Sequence, residues 1–103
     1  MEYENTLKNY INSEGRLKSY SGKRKFMIPM LFFFYDKFEQ GVVYSESQVN
    51  ETLMKAILFD DYAMVRRDLV DFGFMERTRD GREYRKAASP PAFDGEYKVT
   101  PKA

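Results

Sequence analysis

The stretch FMIPMLFFFY, residues 26–35, limits the possible folds of this chain more than any other feature. It is ten residues long and contains a proline, whereas a bilayer-crossing helix takes about 20 apolar residues. Wound as a helix, it lines up Met27, Met30, Leu31, Phe34 and, further on, Phe38 along one stripe. Phe32, Phe33 and Tyr35 fall off that stripe, so the helix is apolar most of the way round and needs cover on nearly every side. A chain of 103 residues makes one compact domain with a modest core. Core filling accounts for part of that cover. Phe32, Phe33 and Tyr35, together with Met64 and Val70 further along, are candidates for a homodimer or protein-docking surface. Pro29 either starts the helix or kinks it near its first turn.

The remaining elements follow from local signals. Tyr3, Leu7, Tyr10 and Ile11 recur at helical spacing and Gly15 suits a stop, which predicts a first helix over residues 2–14. After Gly41, residues 42–44 read as a short extended piece. Ser45 with Gln48 three residues on reads as a capping box, and Tyr44 and Val49 occupy the staple positions. The helix that follows presents Val49, Leu53, Ala56 and Ile57 to a core. A tight connection, LFDD, leads to another helix, capped by Asp60 or Asp61, buried along Tyr62, Val65, Leu69 and Phe72, and ended by Gly73. FMERTRDGREYRK then reads as two strands around a two-residue turn at Asp80-Gly81. In that register Arg79 faces Arg82, Arg77 faces Tyr84 and Glu76 faces Arg85. The last two pairs suggest a cation–π contact and a cross-strand ion pair. Beyond residue 87, three of the four prolines and few core formers predict an extended or disordered tail, in which EYKVT is a candidate edge strand.

The expected fold is α+β: a winged helix, meaning a helix-turn-helix followed by a β-hairpin wing, with an extra N-terminal helix. Residues 1–22 supply the N-terminal helix and a basic arm, 23–86 the winged-helix-like domain, and 87–103 the tail.

Cysteine and histidine are both absent. That removes thiol nucleophiles, Cys/His metal sites, imidazole bases and disulfides. The acids are scattered, and Asp60-Asp61 is better used for capping than for metal. DGRE is a hairpin turn and not a phosphate-cradling loop. The expectation is therefore a non-enzyme without metal or cofactor. The polar, acidic start does not read as a signal peptide, and the chain is expected in the cytoplasm, away from membranes.

At GRLKSYSGKRK, YSESQVNETL, DYAMVRRDLVDFGF and RTRDGREYRK the chain resembles a bacterial family known as domain of unknown function two-zero-eight-seven. The matched positions are Tyr44, Ser45, Glu46, Val49 and Asn50; then Asp61, Tyr62, Arg66, Arg67, Leu69, Val70, Asp71 and Gly73; then Arg77, Asp80, Gly81 and Tyr84. Val65 and Phe59 depart from the family's usual Leu and His. The resemblance implies a winged-helix-like fold and an association with transcriptional regulators, and it brings no catalytic residue or ligand.

With Lys+Arg 17 against Asp+Glu 16, the net charge of +1 gives no global attraction to nucleic acid, so a basic site has to arise by segregation. Three places qualify. Residues 16–25 hold Arg16, Lys18, Lys23, Arg24 and Lys25 with no acid among them. On the second helix of the pair Arg67 points away from the core, where it is placed either to contact DNA or to pair with Asp71 four residues on, while Arg66 sits on the flank. At the hairpin tip Arg79 and Arg82 face each other as like charges, with no structural explanation of their own. The sequence thus supports a nucleic-acid-binding module for DNA or RNA. The alternative is a protein-interaction or dimerisation domain on the same scaffold.

Overall fold

The computed structural model describes residues 3–90. Of the expected tail, residues 87–103, the part from residue 91 onward, with its candidate edge strand, lies outside the described residues. Ala87 is buried and its amide donates to the Phe74 carbonyl at 3.0 Å, so the body runs on past residue 86. The elements are α1 (Tyr3–Leu7), α2 (Arg24–Tyr35), β1 (Val43–Tyr44), α3 (Glu46–Ala56), α4 (Tyr62–Asp71), β2 (Met75–Arg77) and β3 (Tyr84–Lys86). The fold is α+β, with four helices and a three-stranded antiparallel sheet in the order β1-β3-β2. This arrangement is compatible with a winged helix.

Helix α2 runs through the middle of the core. Every residue from Met27 to Tyr35 is buried, including Pro29, which sits inside the helix and neither starts it nor ends it. Phe32, Phe33 and Tyr35 are therefore not the interaction surface expected of them. Phe32 meets Phe74 edge-on at 4.8 Å, Phe33 packs against Phe34 at 5.3 Å, and the Tyr35 hydroxyl donates to the Ala87 carbonyl at 2.9 Å. The rest of the domain wraps the whole circumference of the helix, so its off-stripe aromatics face other elements and not solvent.

The first helix is shorter than its spacing suggested. It ends at Leu7, and the chain then doubles back about Gly15, whose φ is +80°. Asn12 causes this: its side-chain oxygen accepts from the Glu14 and Arg16 amides at 3.0 and 2.9 Å, a local turn that competes with helical bonding. Ile11 then pairs with Leu17, and Leu17 pairs with Ile57 at the end of α3. Leu7 and Leu17 are fully buried in the same core as α2, so residues 3–17 form part of the body and not a separate arm.

The helix pair is set by its caps. Ser45 and Gln48 form the capping box, with bonds of 3.1 and 2.8 Å. Of the two candidate aspartates it is Asp61 that caps α4, accepting from the Met64 amide at 3.1 Å. Helix α4 closes in a Schellman arrangement: Gly73, at φ +84°, donates to Val70, and Phe74 donates to Leu69. Leu69 and Phe74 are both fully buried, so the turn that ends the helix also delivers the chain into β2.

The hairpin register is the expected one, with Glu76 opposite Arg85 and Arg77 opposite Tyr84. The connection is longer than a two-residue turn. Thr78 donates to the Glu83 carbonyl, and Arg79, Asp80, Gly81 and Arg82 make the loop between them. Asp80 holds this loop by accepting from the Thr78 hydroxyl (2.6 Å) and the Arg82 amide (3.0 Å), which keeps its carboxyl below the ordinary aspartate range.

Candidate nucleic-acid interface

A groove of about 590 Å³ opens between the first turn of α3, the outward face of α4 and the hairpin. From α4 come Ala63, Met64, Arg66, Arg67 and Val70, flanked by the acids Asp61 and Asp71; Glu46 comes from α3, and Arg77 and Tyr84 come from the hairpin. Three of the four sequence stretches that carry the family resemblance meet here.

Arg67 stands exposed on the face pointing away from the core, as its helical position requires. The expected pair with Asp71 does not form: among the described residues Arg67 has neither an ion pair nor a hydrogen bond. Arg77 is in the same condition. Its ring contact with Tyr84 is also not made, because the Tyr84 ring turns into the core while Arg77 reaches along the hairpin toward its tip. A Cβ on Gly81 would lie 3.1 Å from the Arg77 guanidinium, so the glycine leaves room for that side chain as well as supplying the positive φ.

Behind these two arginines lies a polar cluster that ties three elements together. The Tyr84 hydroxyl donates to Glu46 Oε1 at 3.2 Å. The same Oε1 lies 3.9 Å from Arg66 Nη2, and Arg66 Nη1 donates to Asn50 Oδ1. Burial raises the Tyr84 phenol above its ordinary value; the nearby Arg66 opposes this and the bond to Glu46 adds to it. Sequence spacing alone did not expose this cluster, because its members are far apart in the chain. Arg77 and Arg66 were likewise missed as groove residues, one assigned to a cross-strand contact and the other to a flank.

The remaining candidates are dispersed. Arg16 is a structural cap: its guanidinium donates to the Met54 carbonyl at 3.1 Å and to the Ile57 carbonyl, satisfying the C-terminal end of α3. That end of an 11-residue helix is about 15 Å from the groove at Glu46. Lys18 and Lys23 are exposed. Lys23 precedes α2 as its N-cap residue, Arg24 lies over the Phe72 ring at 5.4 Å, and Lys25 lies over Phe26 at 5.2 Å. The start of α2 is thereby brought to the C-terminal end of α4. Next to it the Tyr20 hydroxyl donates to Asp68 at 2.8 Å, and burial followed by this bond raises the phenol well above its ordinary value. At the hairpin tip Arg82 is 3.7 Å from Asp80, an exposed pair, while Arg79 has no partner among the described residues. Met64 and Val70, expected as interaction surface, are half-buried in the groove wall. Among the described residues no cluster of acids suits a metal ion, and no helix is long and apolar enough to cross a membrane.

Residues 16–86 match the family model described as "Uncharacterized protein conserved in bacteria (DUF2087)", and the chain belongs to that family. No curated protein and no solved structure matches it.

Proposed function

We propose that this member of the family is a non-catalytic winged-helix module of the bacterial cytoplasm that binds nucleic acid in a transcription-regulatory role. In this reading α4 is the helix presented to a duplex and the β2–β3 hairpin is the wing. The element order and the sheet order β1-β3-β2 support it. The observation that carries it is the pair Arg67 and Arg77. They come from different elements, line one groove, and make neither an ion pair nor a hydrogen bond among the described residues. A duplex backbone laid across the groove gives each guanidinium a phosphate and releases counterions. Arg79 and Arg82 extend the contact at the wing tip, and Lys23, Arg24 and Lys25 extend it past the end of α4, with Lys18 further along the same segment. Arg16 is spent on α3 and takes no part.

The test is a titration of labelled duplex DNA and RNA across a salt series. Binding is expected to weaken steeply with salt, and Arg67→Ala and Arg77→Ala are each expected to lower the log–log slope by about one. Absence of binding to both duplexes at low salt refutes the reading.

One observation favours the alternative of a protein partner. The groove's three arginines are matched by Glu46, Asp61 and Asp71, and Ala63, Met64 and Val70 add apolar lining. Such a surface suits a peptide segment bearing both charges. In that case duplex binding is absent while Val70→Glu abolishes association with the partner.

A further inference from the structure

Arg66 differs from its two neighbours in the groove because protein groups already hold it. Asn50 accepts from Nη1, and Glu46 Oε1 lies 3.9 Å from Nη2. The two contacts are unequal. The Asn50 side chain is half-buried and bonded directly, whereas the Glu46 contact is at the outer limit of an ion pair and the Glu46 side chain is 49% exposed. A pair this open contributes little, about 0–1 kcal/mol. A bidentate guanidinium–phosphate bond is shorter and stronger. Glu46 also sits in the first turn of α3, where the helix dipole offers a carboxylate a favourable contact other than Arg66.

We propose that Arg66 is a third phosphate-contacting arginine of the groove and that Glu46 is its internal counter-charge, displaced when nucleic acid binds. Asn50 keeps the guanidinium in place during the exchange, and water replaces Glu46 as acceptor for the Tyr84 hydroxyl. In the free protein the groove is electrically balanced; on binding, one carboxylate swings out and one more phosphate is engaged. Glu46 thereby sets the salt range over which the domain releases its ligand. The inference rests on the nucleic-acid reading above.

The experiment measures anisotropy of a short labelled duplex across a potassium chloride series with five chains: the unchanged protein, Glu46→Gln, Arg66→Gln, the double variant, and Glu51→Gln. Glu51 is an exposed acid on α3 outside the groove. Glu46→Gln keeps an acceptor for Tyr84 and removes only the charge. It is expected to tighten binding roughly two- to tenfold and to steepen the salt slope by up to about one. The gain is expected to vanish in the Arg66→Gln background, and Glu51→Gln is expected to leave the slope unchanged. Equal binding by the unchanged protein and Glu46→Gln overturns the proposal while the nucleic-acid reading stands. A gain that persists without Arg66 also overturns it, because it then reflects only the general field. If neither the unchanged protein nor Glu46→Gln binds, both fall together. Should Arg66→Gln fail to fold, the Arg66 Nε–Hε resonance of the unchanged protein replaces it. A shift on saturation with duplex supports the exchange, and a fixed resonance at saturation overturns it.

Discussion

Helices α2 and α4 are of similar length and opposite design. In α2 nine consecutive residues are buried, and its N-cap, Lys23, contributes no side-chain bond. In α4 only Val65 and Leu69 are buried, and both ends are closed by specific bonds, Asp61 at the start and the Gly73 turn at the finish. Tertiary packing holds α2 where propensity and capping do little. The caps of α4 hold a helix that gives most of its surface to the groove and the solvent. The contrast separates residues that specify the fold from residues free to do something else.

Phe34→Ala attacks α2 at a fully buried ring. It is expected to cost about 3–5 kcal/mol in denaturant unfolding, a large share of a small domain's stability. A loss near zero would mean that the core is not organised around α2. Next in size, Gly73→Ala forces a Cβ into a φ of +84° at the end of α4 and is expected to cost about 1 kcal/mol or more, read as a lower midpoint at unchanged m-value. Arg16→Ala sharpens the division differently. It frees the Met54 and Ile57 carbonyls and is expected to cost about 1–2 kcal/mol of stability while leaving the salt dependence of binding untouched. Arg67→Ala is the converse: its effect on stability is expected within about 0.5 kcal/mol, and its effect falls on the salt slope of binding.

The smallest effect is at the hairpin tip. The Asp80 carboxyl is held below its ordinary value of 3.8 by the Thr78 hydroxyl first and the Arg82 amide second. A depressed folded value means that Asp80 contributes order to the loop above 3.8 and loses it as pH falls through the lower folded value. Proton resonances of Thr78 and Arg82 are expected to move together in that acid window, with the strands β2 and β3 unaffected.

Local signals in the sequence were sufficient where the structure is locally determined. The capping box at Ser45 and Gln48, the end of α4 at Gly73 and the hairpin register all involve partners within about a dozen residues. The first helix was misread because its apolar spacing is helical while the Asn12 side chain bonds forward and turns the chain. Long-range partners were out of reach. Arg16 finds its acceptors 38 and 41 residues away, and Glu46 meets Tyr84 38 residues on. A basic residue capping a distant helix and one waiting for a phosphate look alike until the backbone is placed.

Leu17 bears on how the molecule assembles in time. Its amide donates to Ala56, its carbonyl accepts from Leu58, and its side chain is fully buried. The junction between α3 and α4 is thus closed by a strand-like residue from far upstream, across a loop whose closure has to be offset by other contacts before this one contributes. The two helices can form early from their own caps, but the angle between them becomes fixed only when residues 16–18 dock. The Leu17 and Leu58 amides should therefore exchange with solvent in a single cooperative opening, and the geometry of the groove is inherited from a segment that never touches it.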